Sequence, residues 1–410
     1  MKPADPRAIA FPAIVLLFFA WGFINANNDP LIAALLHVFG LSFTQGISVQ
    51  LVSFLAFITL SLPMARLLAR IGAPRTILAG LAAMATGCTI VGAAGWAPHF
   101  VLILAGLFVL AAGVVALQVA ANPLAAAMGP PRRSHFRLTL AQSFNALGAV
   151  LGVHFGAWSM LRGGDGGAPP GLAAISHVFL ALAAMLVALA VLTLALRRQF
   201  ALAPPVAAPP APGTRFEAWR SRWAIGGAGA IACYVGAEVS IGSMLVLYLA
   251  TPQALGLTLA ASGAWVANVY WGGALAGRFI GSWLLRHVAA RHLLLAAAIA
   301  AALLCCASLV LPGHIGGWCL LAIGLFNSIM FPTIFTLTLE RSTASPAATS
   351  GLLCAAIGAG AFLPLLAGLI ADHAGLGWSF AAALGGYLYI AAFAALIAAL
   401  GRRDAAMPTG

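Results

Sequence analysis

Charge is what this chain has least of. Only 7% of its 410 residues are charged, against 63% that are hydrophobic, and the mean hydropathy is +1.04. So few charges cannot cover the surface of a soluble domain, which excludes a water-soluble globular protein. Cysteine is scarce as well. The six present (Cys88, Cys233, Cys305, Cys306, Cys319 and Cys354) all lie in apolar runs, and none has metal-ligand spacing. That excludes a disulfide framework or zinc site and leaves them as small apolar side chains. No phosphate loop, catalytic triad or metal cluster is present, so neither an enzyme nor a bound cofactor is expected. The first apolar run is too long for a secretory signal and lacks a small-residue cleavage site, so it is expected to stay as a span.

What the chain does have is apolar length. About 20 such residues cross a bilayer as a helix, and twelve spans are predicted, at 11–36, 44–69, 75–95, 100–127, 136–161, 172–196, 223–250, 258–285, 292–312, 315–339, 348–371 and 378–400. The expected class is an all-α membrane protein. The stretch 197–222 opens with Arg197 and Arg198, runs through Pro204, Pro205, Pro209, Pro210 and Pro212, and closes with Arg220 and Arg222. Its composition suits a solvated linker, dividing six spans (1–196) from six (223–410).

The net charge of +12 does not point to nucleic acid, because of where it sits. Of the 20 Lys and Arg residues, 18 fall at the two ends or in loops after even-numbered spans. Arg162 alone lies on the other side, and Arg278 is intramembrane. This is the positive-inside pattern, and it places both termini in the cytoplasm.

Against that background two acids stand out. Asp29 and Glu238 lie inside apolar spans, where a charge costs about 2.5–3.5 kcal/mol on insertion scales. They are separated by 209 positions (238 − 29), as are Gln118 and Asn327, and Pro123 and Pro332. Arg70 and Arg75 recur as Arg286 and Arg291 at a slightly longer offset. The chain therefore reads as two similar halves with a parallel repeat, the architecture of transporters with a midplane substrate site. An amide stands five residues before a proline in span 1 (Asn25, Pro30), span 4 (Gln118, Pro123) and span 10 (Asn327, Pro332). Proline removes a helical donor, so these spans are expected to kink.

Span 1 is the most polar. Trp21, Asn25 and Asp29 fall at i, i+4 and i+8 with Asn28 beside them, which puts them on one helical face. Amides and carboxylates supply donors and acceptors for a polyhydroxylated ligand, and an indole supplies an apolar face. Span 7 sets Tyr234 and Glu238 at i and i+4, with Ser240 and Ser243 nearby. A carboxyl out of water favours its neutral form, which opens proton exchange. Spans 4, 5, 8 and 10 add Gln118 and Asn122, Gln142 and Asn145, Asn268 and Trp271, and Asn327. For each amide taken singly, a bond between helices competes with ligand contact. Arg278 is expected to snorkel or pair in a gate, and His154 to face away from the cavity. Gly148, Gly152 and Gly156 form a stripe for close helix contact.

Seven strings resemble the fucose/glucose–galactose permease branch of the major facilitator superfamily. They are FFAWGF with NND (18–29), LQVAANP (117–123), HFRLTLAQSFNALG (135–148), YVGAEVSIGS (234–243), GRFIGSWL (277–284), FNSIMFPTIFTL (326–337) and SGLLCAAIG (350–358). The resemblance implies the major facilitator fold and sugar:proton symport by a chain working as a monomer in a bacterial cytoplasmic membrane. In that family the fucose permeases pair an aspartate at the place of Asp29 with a glutamate at the place of Gln118. Here position 118 is an amide, so the acid pair is Asp29 and Glu238, which resembles the glucose/galactose side. An uncoupled or sodium-coupled facilitator, import of fucose, mannose or N-acetylglucosamine, and export of apolar or cationic compounds stand as alternatives.

Overall fold

A computed structural model describes residues 6–40, 43–96, 98–161, 171–196, 199, 217–311 and 313–406. Most of the linker expected at 197–222 lies outside these residues, as do Lys2, Arg162, Arg197, Arg198 and Arg215 of the charge pattern. All regular structure among the described residues is helical. The order is α1 (Pro6–Asn25), α2 (Asn28–Phe39), α3 (Phe43–Ile71), α4 (Ala73–Gly92), α5 (Phe100–Ala127), α6 (Ser134–Gly156) and α7 (Leu172–Ala195). There follow α8 (Glu217–Arg220), α9 (Arg222–Ala250), α10 (Leu259–Trp265), α11 (Gly272–Leu284), α12 (Ala290–Val310), α13 (His314–Asn327), α14 (Met330–Arg341), α15 (Pro346–Ala359), α16 (Phe362–Ala374) and α17 (Ala381–Ala406).

Among the described residues ten helices are long and apolar enough to cross a membrane, or eleven when the α13–α14 pair, bent by 40°, counts as one. The stretch expected as a span at 258–285 runs as α10, a π-helical turn at Val266–Trp271, and α11.

Prolines set where the helices break. The interruptions at 26–27, 328–329 and 360–361 each begin four residues before a proline, namely Pro30, Pro332 and Pro364. A proline lacks the N–H that would bond the carbonyl four residues back, and its ring crowds that carbonyl. Proline alone does not decide the outcome, because Pro12, Pro63 and Pro123 leave α1, α3 and α5 continuous. Span 4 is thus unbroken at the proline that pairs with Pro332. Its released carbonyl, Val119 O, accepts from Ser350 Oγ at 2.8 Å.

By contacts the chain groups into two units. Unit 1 is Met1–Ser134, Ala141–Glu217 and Ala344–Gly358. In it α4 packs on α5 and α7, and α3 on α5. The glycine stripe of α6 lies on α1 as the spacing predicts: a Cβ at Gly148 would stand 2.2 Å from the Phe19 carbonyl oxygen, and one at Gly152 2.1 Å from that of Phe23. Glu217 accepts from Ser345 N at 3.2 Å, and Ser345 Oγ caps α15 through Ala348 N at 3.3 Å. Unit 2 is His135–Leu140, Ala218–Thr343 and Ala359–Gly410. There α17 packs on α9 and α12, and α14 on α9. His135 pairs with Glu340 at 3.3 Å and bonds Thr336 through its other ring nitrogen, while Arg286 stacks over Phe136 at 4.1 Å.

A side chain at position 152 must displace α1, and overpacking of this kind costs about 1–3 kcal/mol. Gly152→Val should lower the melting temperature in detergent, whereas Gly171→Ala, where a Cβ meets nothing within 4 Å, should leave it in place. Equal melting of the two variants would contradict the α1–α6 contact.

Candidate functional site

The polar side chains of unit 2 converge on Glu238. Four residues apart on the unbroken α9, Tyr234 and Glu238 share a face, and Tyr234 Oη donates to Glu238 Oε1 over 2.7 Å. From the π-helical turn, Tyr270 Oη donates to the Glu238 backbone carbonyl at 3.3 Å. Tyr270 Oη in turn accepts from Asn327 Nδ2 at 2.9 Å, at the last residue of α13. Tyr387 of α17, fully buried, stands beside Asn327. Its hydroxyl and Asn327 Oδ1 have no hydrogen-bond partner among the described residues. The Arg278 guanidinium interacts electrostatically with Glu238 and Tyr234 and donates Nε to the Ser328 carbonyl at 3.4 Å. Of the two roles expected for Arg278, snorkelling or pairing, these contacts are those of pairing, because α11 lies close enough to the α13–α14 break to offer its guanidinium there.

Trp271 and Asn268 occupy the same π-helical turn and are both exposed. The indole lies over Gly242, 3.1 Å from where a Cβ would stand, one turn along α9 from Glu238. It meets Tyr270 edge-on at 5.2 Å. A π turn shifts the phase of the residues after it and is common where a helix serves a function.

Unit 1 holds the amides. Asn122 is fully buried on α5, and its Oδ1 accepts from Gln142 Nε2 of α6 at 3.3 Å, leaving Asn122 Nδ2 without a partner among the described residues. Gln118 is half-buried one turn earlier. Asn145 donates Nδ2 to the Phe18 carbonyl at 3.0 Å. That bond ties α6 to α1.

Of the shared face expected for Trp21, Asn25 and Asp29, the i, i+4 spacing of Trp21 and Asn25 stays within α1, but the break at 26–27 puts Asn28 and Asp29 on α2, where the periodicity of one continuous helix no longer relates them to the other two. Trp21 is buried against Phe18, with ring centroids 4.2 Å apart, while Asn25 is exposed. Asn28 is buried, its Oδ1 without a partner among the described residues, and Asn27, fully buried, donates Nδ2 to the Phe23 carbonyl at 2.7 Å. Asp29 is the second residue of α2, and its side chain lies outside the described residues. His154 is exposed and bonds the Val150 carbonyl of its own helix at 2.8 Å. No group of three or more His, Cys, Asp or Glu side chains gathers among the described residues.

Two members of the Glu238 cluster, Tyr270 and Tyr387, are absent from the sequence reading. A signal for them exists: all five tyrosines (Tyr234, Tyr248, Tyr270, Tyr387 and Tyr389) fall after the linker, inside apolar spans.

Known proteins resemble this chain in sequence and in fold. A sequence profile for the Major Facilitator Superfamily matches residues 10–353. The chain belongs to the major facilitator superfamily. Within it, the chain is 40% identical to the glucose/galactose transporter of Brucella abortus over 387 residues, 93% of this chain and 92% of that one. It is 30% identical to the L-fucose-proton symporter of Escherichia coli over 395 residues, 90% of this chain and 88% of that one. The crystal structure of the major facilitator transporter FucP, in the outward conformation, matches with a TM-score of 0.79 and 26% identity, covering 96% of this chain and 99% of that one. The proton:xylose symporter XylE matches at 0.71 with 13% identity, covering 94% and 95%, a likeness of fold alone. These matches put the chain in the fucose/glucose–galactose permease branch of the superfamily.

Since Asn145 joins two helices, Asn145→Ala should cost about 0.5–1.5 kcal/mol and show as a lower melting temperature in detergent. An unchanged melting temperature would contradict the structural role given to this amide.

Proposed function

We propose that this chain is a secondary active transporter that imports a hexose of the glucose/galactose kind together with a proton, by alternating access. It works as a single chain in a bacterial cytoplasmic membrane with both termini inside, its two halves (1–196 and 223–410) joined by the 197–222 linker. The observation that carries the reading is the Tyr234–Glu238 pair. A carboxyl is held by a phenol at 2.7 Å inside an apolar span, in a chain 40% identical to a glucose/galactose transporter. Oriented carboxyl and amide oxygens suit the dense hydroxyls of a sugar.

In this reading Glu238 accepts hydrogen bonds from sugar hydroxyls and Asp29 is the main proton carrier. Gln118, Asn122, Gln142, Asn327, Asn268 and Trp271 supply further sugar contacts, together with Asn25 and Asn28. A neutral carboxyl crosses the occluded state at lower cost than a charged one. One proton moving inward through a membrane potential of 100 mV releases about 2.3 kcal/mol, which drives accumulation of a neutral sugar. The amide at position 118 leaves Asp29 and Glu238 as the acid pair available for coupling.

Two variants separate the roles. In proteoliposomes with an imposed pH gradient, Asp29→Asn should abolish gradient-driven accumulation of glucose or galactose while equilibrative counterflow persists; undiminished accumulation would sink the proton role of Asp29. Tyr234→Phe frees the Glu238 carboxyl, and loss of a bond to a charged group costs about 1.5–3 kcal/mol. That corresponds to about ten- to hundredfold weaker sugar binding. Affinity equal to that of the wild type would remove Tyr234 and its partner from the sugar site.

A further inference from the structure

α11 carries the run Gly277-Arg278-Phe279-Ile280-Gly281 and meets the α13–α14 break side-on. A Cβ at Gly277 would stand 2.5 Å from the Leu325 carbonyl oxygen and 2.6 Å from Ser328 Oγ. One at Gly281 would stand 2.0 Å from the Ile329 side chain. The two glycines let the α11 backbone lie directly on residues 325–329, where the helix is interrupted. Between them Arg278 donates Nε to the Ser328 carbonyl. That carbonyl is the one Pro332 cannot bond, four residues ahead and without an N–H. Ser328 is 2% exposed, so water is not at hand to replace the missing donor.

The same break is wired to the carboxyl. Asn327, the residue before Ser328, bonds Tyr270 Oη, and Tyr270 Oη bonds the Glu238 carbonyl. We propose that Arg278 is a positioning residue: it supplies the donor that Pro332 lacks, fixes the 328–329 break, and so holds Asn327 and Tyr270 in register with Glu238. The role of the break in sugar affinity rests on the reading of Glu238 as a sugar ligand; the role of Arg278 at the break does not.

The test is a cycle of Arg278→Gln, Pro332→Ala and the double variant in the full-length protein, read in two ways. The first is hydrogen exchange of the peptide covering 325–333, measured without sugar. Arg278→Gln should speed exchange there by about tenfold or more, and Arg278→Lys, which keeps the charge but not the planar fork, by less. Pro332→Ala gives Ser328 O a helical donor, so adding Arg278→Gln to it should change exchange little. Unchanged exchange in Arg278→Gln, or equal acceleration in both backgrounds, overturns the proposal. The second readout is glucose uptake, where Arg278→Gln should raise KM about tenfold with Vmax within about threefold, and the double variant should be no worse than Pro332→Ala alone. KM changes that multiply in the double variant count against the proposal. Glu238→Gln runs alongside: if it leaves KM unchanged while Arg278→Gln still loosens 325–333, the sugar reading of Glu238 falls and the role of Arg278 stands.

Discussion

A carbonyl that loses its helical donor inside an apolar helix bundle has no water to turn to, and much of the polar architecture here follows from how that loss is met. Prolines at 123 and 332, 209 residues apart, release Val119 O and Ser328 O. The first is capped by a serine hydroxyl and its helix runs on. The second is capped by a guanidinium and its helix breaks. A hydroxyl brings no net charge. A guanidinium does, and Glu238 stands within its field. The cap and the carboxyl are thus parts of one arrangement: a half-buried cation and a half-buried carboxyl in one unit ease each other's cost of leaving water.

The two units meet the demands of polar groups in different ways. Unit 1 relies on amides, and its tightest ones bond each other or a backbone carbonyl. Unit 2 relies on phenols: Tyr234 orients the carboxyl, and Tyr270 links it to Asn327. An amide presents donor and acceptor together, so it serves equally well as helix cement or as a ligand contact. A phenol on a carboxylate is more committed. This is why the assignment of function rests on the Tyr234–Glu238 pair rather than on any amide.

Much of this was legible in the sequence, and the losses have physical causes. Apolar length located most of the spans, and i, i+4 spacing joined Tyr234 to Glu238 because α9 carries no proline. Spacing by four found the Gly148–Gly152 contact for the same reason. The same logic failed in span 1, where the break at 26–27 resets the helical phase between Asn25 and Asn28. The bond from Arg278 to the Ser328 carbonyl was not legible, since it depends on how closely α11 lies against another helix, which no local pattern encodes. Residues related by the 209-residue offset differ in their backbones: Glu238 lies within a continuous helix, whereas Asp29 follows a break.

The central claim is that sugar and proton enter together. The most direct measurement is the pH of a weakly buffered suspension of energy-depleted cells expressing the protein, recorded as glucose or galactose is added. Symport predicts a transient alkalinisation of the medium that a protonophore abolishes and that an untransported sugar fails to elicit. A flat trace alongside intact sugar counterflow would contradict proton coupling and leave a facilitator in its place.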